Sequence, residues 1–151
     1  MNNRSIPFVA GAVALAFVVA GCATVEEAAV EATSTTYHAK LTGAQEVGGG
    51  DPDGSATAEV SVAQSLDKIC YDIHDIQGLG PITAAHIHQG ATGQNGPPVI
   101  TLTTAPEGGF KGCVGAPDWL QDAMKSNFNG YYVNIHTGEY PNGAIRGQLG
   151  L

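Results

Sequence analysis

Alternation of apolar and polar residues dominates the chain from residue 37 onward. In the segment KICYDIHDI, for example, Ile69, Tyr71 and Ile73 recur at every second position, which is the period of a β-strand with one buried face. Runs of this kind, separated by turns rich in glycine and proline, occupy residues 37–41, 58–62, 69–73, 82–88, 98–103, 131–136 and 144–149. About seven or eight short strands in one small domain predict an all-β fold, an antiparallel β-sandwich or barrel.

One segment, APDWLQDAMKSNFNG, departs from this period. Leu120, Ala123 and Met124 recur at helical spacing, with a proline before them and Lys125 near the end. Proline favours the first turn of a helix and a basic residue favours the last. The segment therefore predicts a short helix over residues 117–126, which crosses between two strands.

The N-terminus has the features of a secretory signal. Arg4 precedes an apolar run, from Ile6 to Ala20, which is too short for a permanent membrane span and ends in small residues. The final Val19-Ala20-Gly21-Cys22 resembles the bacterial lipobox, in which the cysteine is lipidated and becomes the new N-terminus. The alternative is an ordinary secretory signal with an incidental cysteine.

These features divide the chain into three parts. Residues 1–21 are predicted to be a lipoprotein signal peptide, residues 22–36 a lipidated flexible tether rich in Ala, Thr and Glu, and residues 37–151 the folded domain. The predicted location is therefore outside the cytoplasm, on a membrane to which Cys22 anchors the protein. Ala23 stands where an aspartate retains lipoproteins of enteric bacteria in the inner membrane, which favours the outer membrane and periplasm.

The charge of the chain argues against nucleic acid as a partner. Removal of the signal peptide takes away Arg4 and no acid, so 5 Lys and Arg against 14 Asp and Glu leave a formal charge of −9. Nucleic-acid affinity comes largely from basic groups that neutralise phosphates. An acidic chain without a basic patch lacks this source of affinity.

Besides Cys22, whose thiol the lipid would occupy, the chain has two cysteines, Cys70 and Cys113. In an exported protein, two remaining thiols are more often bonded to each other than free. A Cys70–Cys113 disulfide is therefore predicted, with two buried free thiols as the alternative.

The stretch AAHIHQG contains the main candidate for chemistry. On a strand, residues i and i+2 point to the same face, so His86 and His88 are neighbours there. His136 lies on the polar face of a later strand, together with Tyr132 and Asn134. Three neutral imidazoles that converge would suit a divalent ion such as Cu(II) or Zn(II), and copper has the higher general affinity. Sequence alone does not show that the two strands are neighbours.

His38 and His74 are candidates for a fourth ligand, because each lies on the polar face of its own strand. Taken singly, a histidine on a half-buried strand is more often hydrogen-bonded locally than bound to a metal.

Three motifs, LTGAQEV, AAHIHQGATGQNGPPVITL and GYYVNIHTGEYPNGAIRGQL, occur in this order along the chain. The set resembles the CHRD domain, a module first named in chordin and widespread in bacterial exported proteins. The resemblance implies an immunoglobulin-like or superoxide-dismutase-like β-sandwich, and no particular reaction. The residues that match the motif of the family are His86, His88, Asn134, His136, Tyr140, Pro141, Gly143, Arg146 and Gly147.

Structural roles are open for several of these residues. Asn134 and Thr137 could satisfy backbone groups at a strand end, and the residues from Tyr140 to Gly143 suit a type I turn. Arg146 could pair with Glu46 or Glu139, or it could steer a small anion toward a bound ion.

Three functions remain after these observations. The first is a lipid-anchored binding module with a histidine site for copper. The second is a structural or interaction domain that contacts envelope or extracellular proteins, with the histidines hydrogen-bonded inside it. The third is a redox enzyme similar to superoxide dismutase, which we expect least because the chain lacks the ligands of a bridged two-metal site. A GxSxG elbow, a phosphate loop and a dinucleotide fingerprint are all absent from the sequence, so an enzyme is not the expected class.

Overall fold

The structure is a computed structural model that describes residues 34–106 and 108–151. The predicted signal peptide, Cys22 and most of the predicted tether lie outside the described residues. β1 begins at Thr35, so the last two residues of the predicted tether belong to the sheet.

Eight strands and one α-helix make up the domain. The strands are β1 Thr35–Thr42, β2 Ser55–Ala63, β3 Lys68–Gln77, β4 Ile82–Gln89, β5 Pro98–Thr101, β6 Phe110–Gly115, β7 Tyr131–Thr137 and β8 Ile145–Gln148. The helix α1, Asp118–Ser126, lies between β6 and β7. Short 3₁₀ turns occupy Gly43–Gln45, Gln64–Leu66 and Phe128–Gly130.

The strands pair in the order β5-β4-β7-β8-β1-β2-β3-β6, and every pairing is antiparallel. The sheet curls around one apolar core, to which all eight strands contribute. Leu120 and Met124 of α1 close this core from one side. The predicted fold class, an antiparallel β-sandwich with one short crossover helix, is confirmed.

Several details differ from the sequence-based prediction. β6 was not predicted, because exposed and half-buried positions alternate after Phe110 and the segment shows no clear apolar period. β5 ends at Thr101, two residues before the predicted end, and α1 begins at Asp118 with Pro117 as its N-cap.

The predicted disulfide is confirmed, and the alternative of two free thiols is wrong. Cys70 on β3 and Cys113 on β6 are direct partners in the register, with an S–S distance of 2.03 Å. Cys113 is exposed and Cys70 is half-buried, so the bond lies on the outer face of the sheet. It fastens the edge strand β6 to its neighbour.

Candidate metal centre

β4 and β7 are neighbours in the sheet, although more than forty residues separate them in sequence. The register pairs Ala84 with His136, His86 with Asn134 and His88 with Tyr132. Alternate residues of β4 and β7, such as Ile87 and Val133, belong to the apolar core on the opposite face. Because side chains alternate between faces, all three histidines lie on the face away from this core.

The structure brings His86, His88 and His136 together, as a shared ion would require. One ligand nitrogen from each ring lies within 4.8 Å of the other two. His86 Nδ1 and His136 Nε2 are only 3.2 Å apart. Metal–nitrogen bonds of about 2.0 to 2.1 Å place the ligands of one ion roughly 3 to 4 Å apart. The spacing of the three nitrogens is therefore close to the spacing that the ligands of one ion have.

His88 has a hydrogen bond at only one of its two ring nitrogens. Its Nδ1 donates a hydrogen bond to the Gly96 carbonyl oxygen at 2.8 Å. Since a carbonyl only accepts, the proton is on Nδ1 and the lone pair is on Nε2. That Nε2 is buried and has no hydrogen-bond partner among the described residues. A buried polar atom without a partner is uncommon, and here it belongs to the histidine cluster.

His136 is oriented in the same way. Its Nδ1 donates to the Pro141 carbonyl oxygen at 3.1 Å, so its lone pair is also on Nε2. The turn from Tyr140 to Gly143, closed by a 3.1 Å backbone hydrogen bond, carries this carbonyl. His136 Nε2 accepts a hydrogen bond from His86 Nδ1. A bound ion would replace that bond, and the proton of His86 would then lie on its Nε2.

Burial keeps the three imidazoles in the neutral form that a metal requires. It lowers the pKa of all three histidines and is the largest cause in each. The neighbouring His136 lowers the pKa of His86 further. The Gly96 and Pro141 carbonyls partly offset the effect at His88 and His136 respectively. Because ligands must be deprotonated, these shifts favour metal binding down to a lower pH.

A buried ion pair lies beside the cluster. Arg146 Nε donates to Glu46 Oε2 at 3.0 Å, and both side chains are almost fully buried. The Asn134 side-chain amide donates to the other carboxylate oxygen of Glu46. Of the two predicted partners of Arg146, the structure therefore has Glu46. Burial raises the pKa of Glu46 more than the charge of Arg146 and these hydrogen bonds lower it.

The predicted backbone roles of Asn134 and Thr137 have different outcomes. The prediction for Asn134 is wrong, because its amide group binds the carboxylate of Glu46 rather than a backbone group. The prediction for Thr137 is confirmed, since its hydroxyl accepts a hydrogen bond from the Tyr140 backbone N–H at 3.1 Å.

Arg146 also contacts the loop of residues 90–97, here called the 90–97 loop. Its Nη1 donates to the Gln94 carbonyl at 2.9 Å, and its Nη2 donates to the Asn95 side chain. The guanidinium carbon lies 4.0 Å from the centre of the Tyr132 ring. These contacts engage the guanidinium on several sides, which argues against the role of steering an anion.

The sequence placed Tyr132 on the same face as His136, but it did not identify the contact of Tyr132 with His88 or the part that Gly96 and the 90–97 loop have in this site. The Tyr132 ring stacks on His88 with a centroid distance of 4.9 Å, and its hydroxyl accepts from the Gly96 N–H. For the loop, the sequence signal was the density of glycine after HIH. At Gly96 a Cβ would lie 1.6 Å from the Gln89 carbonyl oxygen, so only glycine fits this close approach.

His38 and His74 do not join the cluster. His38 on β1 lies 3.6 Å from Glu59, and both side chains are about half exposed. His74 on β3 lies 2.9 Å from Asp75. Neither histidine belongs to the group whose ligand atoms converge, because β1 and β3 are not adjacent to β4 or β7. The expectation of a fourth imidazole is therefore not met.

Within residues 34–106 and 108–151, no helix has the length and apolar character needed to cross a membrane.

Comparison with known proteins identifies the family of the chain. Neither the search of the curated proteins nor the search of the solved structures found a match to the chain. The family model of the CHRD domain matches residues 37–149, which is most of the chain. The protein therefore belongs to the CHRD-domain family.

Proposed function

We propose that this protein is an exported binding module that holds one divalent ion between His86, His88 and His136. Membership of the CHRD family supports an extracellular binding or interaction module. The observation that carries the metal site is His88 Nε2, a buried nitrogen without a partner inside a cluster of three imidazoles. An ion at this point would give that nitrogen the partner it lacks.

The chemistry of the ligands favours Cu(II), with Zn(II) as the second choice. All three ligand atoms are imidazole nitrogens, which suit both ions, and copper stands above zinc in general affinity. The described cysteines are joined in the disulfide and offer no thiolate that would favour a softer ion. His86 and His136 are half-buried, so the side of the site between them admits an ion and an exchangeable ligand from solvent.

The proposed location is the outside of a membrane, with Cys22 as the lipid anchor. The lipobox-like sequence before Cys22 supports this anchor, and the outer membrane is the favoured site. The disulfide is consistent with an oxidising compartment, where such bonds persist.

Calorimetric titration with Cu(II) tests the proposal. Wild-type protein should bind one ion per chain, and His88→Ala should weaken binding at least about tenfold, because even the loss of a group that only orients a ligand typically costs this much. His38→Ala, which removes an exposed histidine outside the cluster, and Lys125→Ala on α1 should both bind as wild type does. Equal affinity for wild type and His88→Ala would refute the metal site.

A structural or interaction domain is the second candidate. The hydrogen bonds from His88 and His136 to backbone carbonyls fix two surface loops without any ion. Such loops could present a binding surface to an envelope or extracellular protein. If wild-type protein binds neither Cu(II) nor Zn(II), this function becomes the better account of the site.

A further inference from the structure

We propose that Arg146 is a positioning residue for the metal site, which holds His88 so that its Nε2 faces the ion. The inference rests on the proposed function. Arg146 does not need to contact the ion. It acts through the 90–97 loop, which carries the hydrogen-bond acceptor of His88, and through the Tyr132 ring, against which His88 stacks.

The first step is the dependence of His88 on the 90–97 loop. The Gly96 carbonyl fixes which nitrogen of His88 carries the proton. The same residue donates its N–H to the Tyr132 hydroxyl, so Gly96 contacts both rings of the stack. If Gly96 moved, His88 would lose the acceptor that keeps its proton on Nδ1. The ring could then place a proton on the nitrogen that faces the ion.

The second step is the dependence of the loop on Arg146. The guanidinium donates to the Gln94 carbonyl and to the Asn95 side chain, the two residues directly before Gly96. Inside the 90–97 loop, a single backbone bond, from Gln94 N–H to the Ala91 carbonyl, is present. Arg146 therefore supplies contacts in the middle of a segment rich in glycine, which has few bonds of its own.

The third step is the packing of the rings. The Tyr132 ring contacts both groups, because it stacks on His88 with a centroid distance of 4.9 Å and has the Arg146 guanidinium carbon 4.0 Å from its centre. Glu46 fixes the guanidinium in turn through a buried ion pair. A planar group that donates on several edges and stacks on a ring is specific to arginine. A lysine at this position would still pair its positive charge with Glu46. It could not donate to both the Gln94 carbonyl and the Asn95 side chain in the same geometry.

Two variants of the full chain separate this role from folding. Arg146→Lys keeps the charge beside Glu46, and Asn95→Ala removes one exposed loop contact while the ion pair stays in place. Lys125→Ala is the control. In metal-free protein labelled with ¹⁵N-histidine, NMR should show His88 protonated on Nδ1 in wild type and in the control. Arg146→Lys and Asn95→Ala should show a larger fraction of His88 protonated on Nε2, and this fraction should be larger in Arg146→Lys.

Cu(II) affinity is the second readout. Loss of groups that orient a metal ligand typically weakens binding by about 10- to 100-fold, so we expect this range for Arg146→Lys and a smaller effect for Asn95→Ala. Asn95→Ala should melt within a few degrees of wild type, which would show that its effect is not unfolding.

The outcomes are distinct. If His88 keeps its Nδ1 proton in both variants, or if its proton shifts while Cu(II) affinity stays within about twofold, the positioning role is refuted. If wild-type protein binds no metal, the proposed function fails. In that case the NMR measurement alone tests whether Arg146 orients His88. A shift of the His88 proton to Nε2 in the two variants supports this role, and an unchanged Nδ1 proton overturns it.

Discussion

The ring nitrogens that carry protons determine what the three histidines can do. Backbone carbonyls accept from Nδ1 of His88 and His136, so both rings present Nε2. Metal-binding histidines commonly have this second hydrogen bond, which fixes the tautomer and raises the basicity of the ligand. His86 differs, because its Nδ1 hydrogen bond goes to His136 itself. Metal binding would therefore cost one histidine–histidine hydrogen bond and leave the two carbonyl contacts intact.

The metal-free protein should lose stability as the pH falls below about 6.5. Burial lowers the pKa of the three histidines in the folded state, so the unfolded chain takes up these protons at a higher pH than the folded chain does. The contribution of the three neutral rings is fully present above the unfolded pKa. It is lost as the pH falls through the lower folded values. Urea unfolding with a chelator present, at pH about 7.5 and about 5.5, measures the difference.

The same measurement on two variants identifies the source of this pH dependence. His88→Ala should reduce the loss of stability between the two pH values, because it removes one of the three rings whose pKa burial lowers. Lys125→Ala on α1 should leave the loss unchanged, because it removes no histidine. A loss of the same size in all three proteins would show that the pH dependence arises outside the cluster.

Two pairs of strands have different roles, one in the site and one in stability. β4 and β7 carry the histidines, and β3 and β6 carry the disulfide. β6 is an edge strand, and its outward positions are mostly exposed. It therefore buries less apolar surface than a central strand, and the disulfide supplies part of what packing does not.

Removal of the disulfide should destabilise the fold without changing the site. Cys70→Ser with Cys113→Ser should lower the free energy of unfolding by about 2 to 4 kcal/mol, because the bond closes a loop in the unfolded chain. The bond lies on the outer face, so the substitution opens no cavity in the core. Urea unfolding of oxidised wild type and of the double variant measures the change. A difference below about 0.5 kcal/mol, or a large change in Cu(II) affinity, would contradict this division between the strand pairs.

At the scale of the whole molecule, the sequence predicted the class of fold and named the three histidines of the site, but it could not show that their strands are neighbours. Alternating patterns predicted most strands, and helical spacing predicted α1 nearly to the residue. The i, i+2 spacing placed His86 beside His88, but only the pairing of β4 with β7 adds His136. That pairing depends on the order of strands in the sheet, which no local pattern encodes. The contact between His88 and Gly96 depends in turn on how a long loop folds back.

The lipid anchor is a property of the full chain and is tested there. Cys22→Ser should move the protein from the membrane fraction to the soluble fraction, because the thiol that would carry the lipid is absent. Fractionation after a high-salt wash, with Cys113→Ser as the control cysteine variant, measures this. Retention of Cys22→Ser in the membrane fraction would refute the anchor.

The most direct test of the central claim is pulsed electron paramagnetic resonance of protein loaded with one equivalent of Cu(II). The account predicts a single copper species coupled to three imidazole rings, because His86, His88 and His136 are the residues that converge. His88→Ala should give a spectrum with one coupled imidazole fewer. A wild-type spectrum without imidazole coupling, or one that His88→Ala leaves unchanged, would contradict the account.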